Sequence, residues 1–366
     1  MTGAMATVMT GTMRGYVFVG DNRAELRRLP IPTIGHGEAL VRMRLASICA
    51  TDLKIVDGRL PGRPGTVLGH EMIGEIVVLG PGVAGYEVGQ RVYVPGDTPC
   101  GQCYECLGNP NGRGCHTDGT IAAFHFAMLR DGAHAEYVAV PYAQANLAPI
   151  PEEVTDEQAV VMTCGGSTGF AGIEASELRM GDTVAIVGQG PVGLAATVAA
   201  RLRGAGYVIA VDVLAWRLEM SRRMGADAAL NAREVDVVEE VRCLTGGWMA
   251  DVAVEAVGTP DTFLTALRLT RPAGVLSSIG NYGMRGTLTL PLDAGAFMGG
   301  IGEKKIITTT SPGGKDRARR LMHMIAHGKF DLSPLVTHSF HLDEISAAYE
   351  VFRDRREEVF KVVIRL

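Results

Sequence analysis

Residues 183–212 read TVAIVGQGPVGLAATVAARLRGAGYVIAVD, and the order of textures in that stretch decides the fold. An apolar run, TVAIV, ends in Gly188-Gln189-Gly190-Pro191-Val192-Gly193, a helical pattern follows, and a second apolar run, YVIAVD, closes on Asp212. Glycines spaced in this way occur in many turns. Here they fall between a strand and a helix, with an acid 19 residues after the last glycine, and that context has a mechanism. Glycine permits the tight turn and close backbone approach, the helix N-terminus receives a pyrophosphate, and the acid accepts hydrogen bonds from ribose hydroxyls. Pro191 suits the first helical turn, where its missing N–H is not needed. An Asp at position 212 would also repel a 2′-phosphate, so NAD(H) is expected over NADP(H). Arg217, expected on the next helix, softens that preference.

Outward from this stretch the alternation continues through LAWRLEMSRRMG, ADVAVEAVG and GVLSSIG, which predicts a doubly wound parallel sheet over residues 168–310. The preceding 150 or so residues have a different texture. Runs such as ALVRMRL, with Val41, Met43 and Leu45 facing one way and Arg42 and Arg44 the other, predict a β-rich domain of short strands. After residue 310 come two helical segments, GKDRARRLMHMIAHG and LDEISAAYEVFRD, and a last strand, KVVIRL, that has no place in the alternating series. It is expected to return to the first domain. The predicted division is therefore 1–167 with 311–366 as one domain and 168–310 as the nucleotide-binding domain, with residues 1–12 a disordered extension.

A chain of 366 residues with 47% apolar content is long enough for two cores. A formal charge of −5 from 35 basic and 40 acidic residues, with no long run of either sign, lacks the footprint of a nucleic-acid or membrane-surface binder. A small-molecule partner is expected. The most apolar region is interrupted by Gln189, Gly190 and Pro191, which fits a strand and a helix better than a membrane span. The opening MTGAMATVMTGTM has neither a basic n-region nor an apolar h-region, and the expected compartment is the cytoplasm.

A reducing compartment disfavours structural disulfides, and seven cysteines cannot all pair. Four of them stand in PCGQCYECLGNPNGRGC, residues 99–115: Cys100, Cys103, Cys106 and Cys115 have the spacing C-x2-C-x2-C-x8-C, which a lobe of about residues 97–117 can wrap around one structural zinc. A redox pair or an iron–sulfur cluster are the rivals, and the Gly/Asn/Pro-rich loop suits the redox pair poorly. Of the remaining three, Cys49 stands in ASICATD and Cys164 opens CGGSTG, with His70 and Glu71 in LGHEMIG. Taken singly, each reads as a small buried cysteine or a satisfied histidine. Taken together, two cysteines and a histidine with a fourth place open form a catalytic zinc set, and only Cys243 is left over.

From about Met13 to Leu366 the chain resembles the zinc-dependent medium-chain alcohol dehydrogenases. The resemblance is carried by CATD, GHEMIGEIV, GQRVYVPG, the four-cysteine lobe, CGGSTGF, GQGPVG, VEAVG and KVVI. The segments LRDGAHAEYVAVPYAQANLAPIPEEV and SPGGKDRARRLMHMIAHGKFDLSPLVTHSF are most similar to the tetrameric bacterial secondary alcohol dehydrogenases. The resemblance implies a co-chaperonin-like (GroES-like) barrel completed by the C-terminal segment, and a Rossmann domain inserted between. It implies two zinc ions per chain, the catalytic one on Cys49, His70 and Cys164 with Glu71 able to exchange onto it. It also implies Asp52 orienting His70, Thr51 beginning the proton exit, Thr168 backing the nicotinamide, and Lys361 reaching the cofactor phosphates. The expected reaction is hydride transfer between a secondary alcohol or ketone and NAD in a homo-oligomer, tetramer before dimer. A polyol, sugar-alcohol or threonine-type dehydrogenase is the alternative, and a non-catalytic NAD-binding protein a remote one. Three departures stand out. The lobe has eight residues before its last cysteine where the family commonly has seven. The secondary alcohol dehydrogenases often carry an Asp where Cys164 stands. Lys54 occupies a position where the family often has a relay histidine. Phe124, His125 and Phe126 are candidates for the pocket.

Overall fold

The computed structural model describes residues 9–108, 114–117, 124–284, 287–298, 303–355 and 358–366. The chain divides into two compact units, residues 1–164 with 312–366, and residues 165–311.

The first unit is β-rich. A hairpin of β1 (Thr12–Gly20) and β2 (Arg23–Pro30) stands as its own two-stranded sheet. A larger sheet is built from β3 (Ala39–Ser47), β4 (Glu71–Leu79), β5 (Arg91–Val94), β6 (Tyr137–Val140) and β7 (Ala148–Pro149). In β3 the predicted alternation holds: Val41, Met43 and Leu45 are buried, and Arg42 and Arg44 face solvent on Glu75. One core beneath this sheet gathers Val41, Met43, Met72, Ile76, Val92 and Phe126. Each such side chain contributes roughly 1.5–3 kcal/mol by leaving water.

The second unit is a six-stranded parallel sheet of β8 (Thr183–Val187), β9 (Tyr207–Asp212), β10 (Ala228–Asn231), β11 (Ala250–Glu255), β12 (Thr270–Ser278) and β13 (Lys305–Thr308). Its order is β10-β9-β8-β11-β12-β13, so the chain reverses direction across the sheet at β8. This is the switch-point order of the Rossmann fold, with the glycine turn leaving the strand at the reversal. Two glycines are required there. Gly188 has φ +93°, and a Cβ on Gly193 would stand 1.7 Å from the Gly188 carbonyl oxygen.

The chain then returns to the first unit. β14 (Val336–His341) pairs in parallel with β15 (Lys361–Arg365), and β15 inserts antiparallel beside β3, which gives the last strand the place it lacks in the nucleotide-binding series. At the other terminus one expectation is corrected. Residues 1–8 lie outside the described residues, but β1 begins at Thr12 and Met9 packs on the cluster around Met13, Ile31 and Ile34. Apolar burial orders the chain from residue 9 onward.

Candidate active site

Cys49 ends the run that leaves β3 and caps the helix Ala50–Val56. Asp52, three residues on, closes the cap by accepting from the Cys49 N–H at 2.8 Å through Oδ2. Its other oxygen, Oδ1, stands 3.0 Å from His70 Nδ1, and both side chains are fully buried. With the proton on Nδ1, Nε2 presents a lone pair, and that atom is buried with no hydrogen-bond partner. One carboxylate thus fixes the backbone of one ligand and the tautomer of another.

Cys164 sits in a single π-helical turn, Met162–Gly166, that leads into the helix Ser167–Ala175. Such turns insert one extra residue and re-aim the side chains they carry. Ligand atoms of Cys49, His70, Glu71 and Cys164 all lie within 4.8 Å of one another. Two thiols, an imidazole and a carboxylate suit zinc, and the orphaned Nε2 is the donor such an ion would satisfy. The electrostatics agree. A hydrogen bond from Cys164, with the charges of His70 and Lys361, pulls the Cys49 thiol well below its ordinary value. Burial opposes charge on His70, but the Asp52 carboxylate outweighs it and leaves the imidazole's pKa well above normal, so an ion bound at Nε2 would displace a proton.

Glu71 is fully buried, and burial pushes its carboxyl up to about 7 although the neighbouring Lys361 pulls the other way. Both the Lys361 ammonium and the Ser47 hydroxyl donate to Oε2, while Oε1 has no partner. The Lys361 ammonium, which the resemblance implies reaches cofactor phosphates, is paired with Glu71, and its side chain is 4% exposed. Thr51 and Lys54 lie on the same short helix as Asp52.

The four-cysteine cluster assembles separately. Ligand atoms of Cys100, Cys103, Cys106 and Cys115 lie within 4.8 Å of one another. Burial works against ionising Cys100, but donors from Thr117 and the backbone of Gln102 and Cys103 prevail and bring the thiol down to about 6. Cys106 is pushed up to about 12 by burial and its neighbouring thiols. Residues 109–113 and 118–123 of this region are outside the described set. Cys243, the seventh, is exposed.

In the second unit the helix Pro191–Leu202 starts with Pro191 at its first position, directly after the glycine turn. Asp212 ends β9 and holds that turn, accepting from the Gln189 N–H at 2.7 Å through Oδ2 and from the Val213 and Leu214 N–H groups through Oδ1. Arg217 Nη1 is 3.7 Å from Asp212 Oδ2. Val192 lies in the first turn of the same helix, and Thr168 in the helix Ser167–Ala175.

The chain matches two family models, an alcohol dehydrogenase GroES-like domain over residues 35–152 and a zinc-binding dehydrogenase over residues 191–327. It is 46% identical to an alcohol dehydrogenase of Cupriavidus necator over 98% of this chain and 100% of that one. The chain belongs to the zinc-dependent medium-chain alcohol dehydrogenases. An NADP-dependent isopropanol dehydrogenase of Clostridium beijerinckii is 34% identical to this dehydrogenase over 97% of its chain and 100% of the relative. Among solved structures, zinc dependent alcohol dehydrogenase 2 of Streptococcus pneumonia superposes with a TM-score of 0.87 at 32% identity, covering 96% of this chain and 98% of that one.

Three residues of the dehydrogenase's site escape the sequence reading. Ser47 has no motif, yet its hydroxyl lies on Glu71. Thr98 is bonded to His125 Nδ1 at 2.8 Å, which ties that candidate pocket histidine to the segment leaving β5. Asp97, on the same segment, is buried beside His70 and pushed up to about 7 by desolvation. Of the candidate pocket residues, Phe124 stacks edge-on to His70 at 5.0 Å between centroids, whereas Phe126 is fully buried in the core. A signal for Asp97 was present: it is a charged residue in an otherwise small, uncharged run, PGDTP.

Proposed function

We propose that this dehydrogenase oxidises a secondary alcohol, or reduces the matching ketone, with NAD(H) as cofactor and two zinc ions per chain. The observation that carries this reading is the buried set of Cys49, His70 and Cys164, with an orphaned imidazole nitrogen among its thiols. Zinc held by that set would supply a Lewis acid that eases loss of the alcohol proton, and bound nicotinamide would supply the hydride acceptor. The chain's own residues do the rest. Asp52 holds His70 in one tautomer, Thr51 passes the alcohol proton outward, and Lys361 with Ser47 holds Glu71 at the edge of the ligand set. Cys100, Cys103, Cys106 and Cys115 form a closed four-sulfur shell, which leaves no position for substrate and makes that zinc structural.

Residues 1–164 with 312–366 form the catalytic domain in this reading, and residues 165–311 bind NAD through Gly188, Gly190, Pro191, Val192, Gly193, Asp212 and Thr168. NAD is favoured because Asp212 puts a carboxylate at the end of β9, where a 2′-phosphate would meet its charge, and Arg217 beside it weakens rather than reverses the choice. The similarity of the C-terminal segments to tetrameric secondary alcohol dehydrogenases supports a homotetramer. A cytoplasmic site fits the use of six cysteines as ligands, and among the described residues no helix is long and apolar enough to cross a membrane.

The test is a substrate panel of 2-propanol, 2-butanol, sorbitol and threonine, each with NAD and with NADP. Turnover of 2-propanol and 2-butanol with NAD above all other combinations is expected. Preferential oxidation of sorbitol or threonine would transfer the assignment to the polyol or threonine-type enzymes.

A further inference from the structure

The helix Lys315–Ala326 of the first unit buries Ala318, Leu321, Met322 and Ile325, and its last turn carries two exposed histidines, His323 and His327, four residues apart. Side chains at that spacing stand one above the other on a helix. The two rings face each other with 4.1 Å between centroids and 42° between planes. The helix end holds them there. Gly328, at φ +62°, gives its N–H to the Ile325 carbonyl at 2.8 Å, and Lys329 gives its N–H to the Met324 carbonyl at 3.0 Å, a closed turn that ties down the His327 backbone. His327 Nδ1 lies 2.9 Å from the His323 carbonyl oxygen, which can only accept. The proton of the neutral ring is therefore on Nδ1, and Nε2 carries the lone pair.

Two imidazoles at i and i+4 on one helix face make a bidentate set for a divalent transition ion, and the helix C-terminus adds partial negative charge beside them. The arginines one turn earlier, Arg319 and Arg320, are drawn toward the N-terminus of the helix by Asp316, at 3.0 and 3.1 Å. We propose that His323 and His327 form a further metal site of this chain, for copper or nickel ahead of zinc, with water in the remaining positions. Nitrogen donors without a thiolate favour those ions. Two neutral donors on an exposed face hold an ion less firmly than the cysteine-containing sets, so dialysis empties this site and leaves the two zinc ions of the proposed function in place. The site shares no ligand with the dehydrogenase's candidate active site, and its failure leaves that reading untouched.

The experiment titrates nickel into the dialysed, tag-free holoenzyme at neutral pH and reads binding by calorimetry and metal content by elemental analysis. Wild type should take up one nickel ion per chain without releasing zinc. His323→Ala and His327→Ala should each weaken that binding at least about tenfold and leave the zinc content unchanged. His341→Ala, which removes an exposed histidine on β14, should bind nickel as wild type does. Nickel should also slow amide exchange at residues 324–329 of wild type and of His341→Ala, but not of the other two variants. A wild type that binds no nickel, one that binds it only by expelling zinc, or binding of equal strength in all four chains would overturn the proposal, as would loss confined to His341→Ala. Should either helix variant lose zinc, the exchange measurement on wild type decides: slowing confined to residues 324–329 upholds the site, and unchanged exchange there refutes it.

Discussion

Replacing Lys361 by methionine should destabilise the first unit little at pH 7 and by about 3 kcal/mol near pH 9. The lysine is 3% exposed and Glu71 is not exposed at all, so removing the ammonium leaves a buried carboxylate held by Ser47 alone. Breaking a buried pair in this way costs about 3–5 kcal/mol. The lower end applies here. Burial already raises Glu71 to about 7 with the lysine present, and without it the carboxyl takes up a proton instead of remaining charged. The same reasoning sets the pH dependence. A carboxyl whose folded pKa is raised favours the folded state most fully below its unfolded pKa, near 4.3, and loses that advantage as pH rises through the folded value. The deficit of Lys361→Met against wild type should therefore be small up to about pH 7 and grow above it by at most about 1.4 kcal/mol per pH unit. Tryptophan fluorescence cannot read it, because Trp216 and Trp248 are the only tryptophans and both lie in the second unit. Amide exchange in β3 and β15 of the holoenzyme reads it directly. Adding Glu71→Gln to the lysine variant should recover most of the loss. A single variant as protected as wild type near pH 9, or a double variant that shows the plain sum of two losses, would refute the argument.

The remaining expectations need less space. Asp212→Gly should lower the ratio of kcat/KM for NAD over NADP by at least roughly tenfold, and an unchanged ratio would place cofactor choice elsewhere. Thr51→Val should reduce kcat on the order of a hundredfold by removing the first proton carrier. Lys54→Ala should reduce it less than about tenfold and leave the kinetic pKa in place; rescue of that variant by small amine buffers would make Lys54 the proton acceptor after all. The native holoenzyme should hold two zinc ions per chain and show one readily labelled thiol, Cys243, which is the exposed cysteine. Labelling of all four lobe cysteines alongside a single zinc would remove the structural site.

What the sequence discloses follows the range of the forces involved. The glycine turn, Pro191 and Asp212 are legible because a strand, a turn and a helix N-terminus are local structures whose requirements fall on adjacent residues. The alternation in β3 is legible because one sheet face is wet. Lys361 is another matter. Its partner Glu71 is 290 residues away, and only the insertion of β15 beside β3 brings the two together. The exit from β5 at Gly96, just before Asp97, runs against His70 and Thr163, a contact that depends on distant parts of the chain. The π-turn at Cys164 leaves no periodic trace in MTCGG, and the order of Met9 depends on packing against the cluster around Ile31 and Ile34, which composition alone cannot reveal.

The central claim is that Cys49, His70 and Cys164 hold the metal ion on which alcohol oxidation depends. The most direct test is Cys49→Ser, assayed for zinc content and for NAD-linked oxidation of 2-butanol in the same preparation. The account predicts one zinc per chain, retained by the four-cysteine cluster, no measurable turnover, and no rescue by added zinc. Two zinc ions per chain with turnover near the wild-type rate would contradict it.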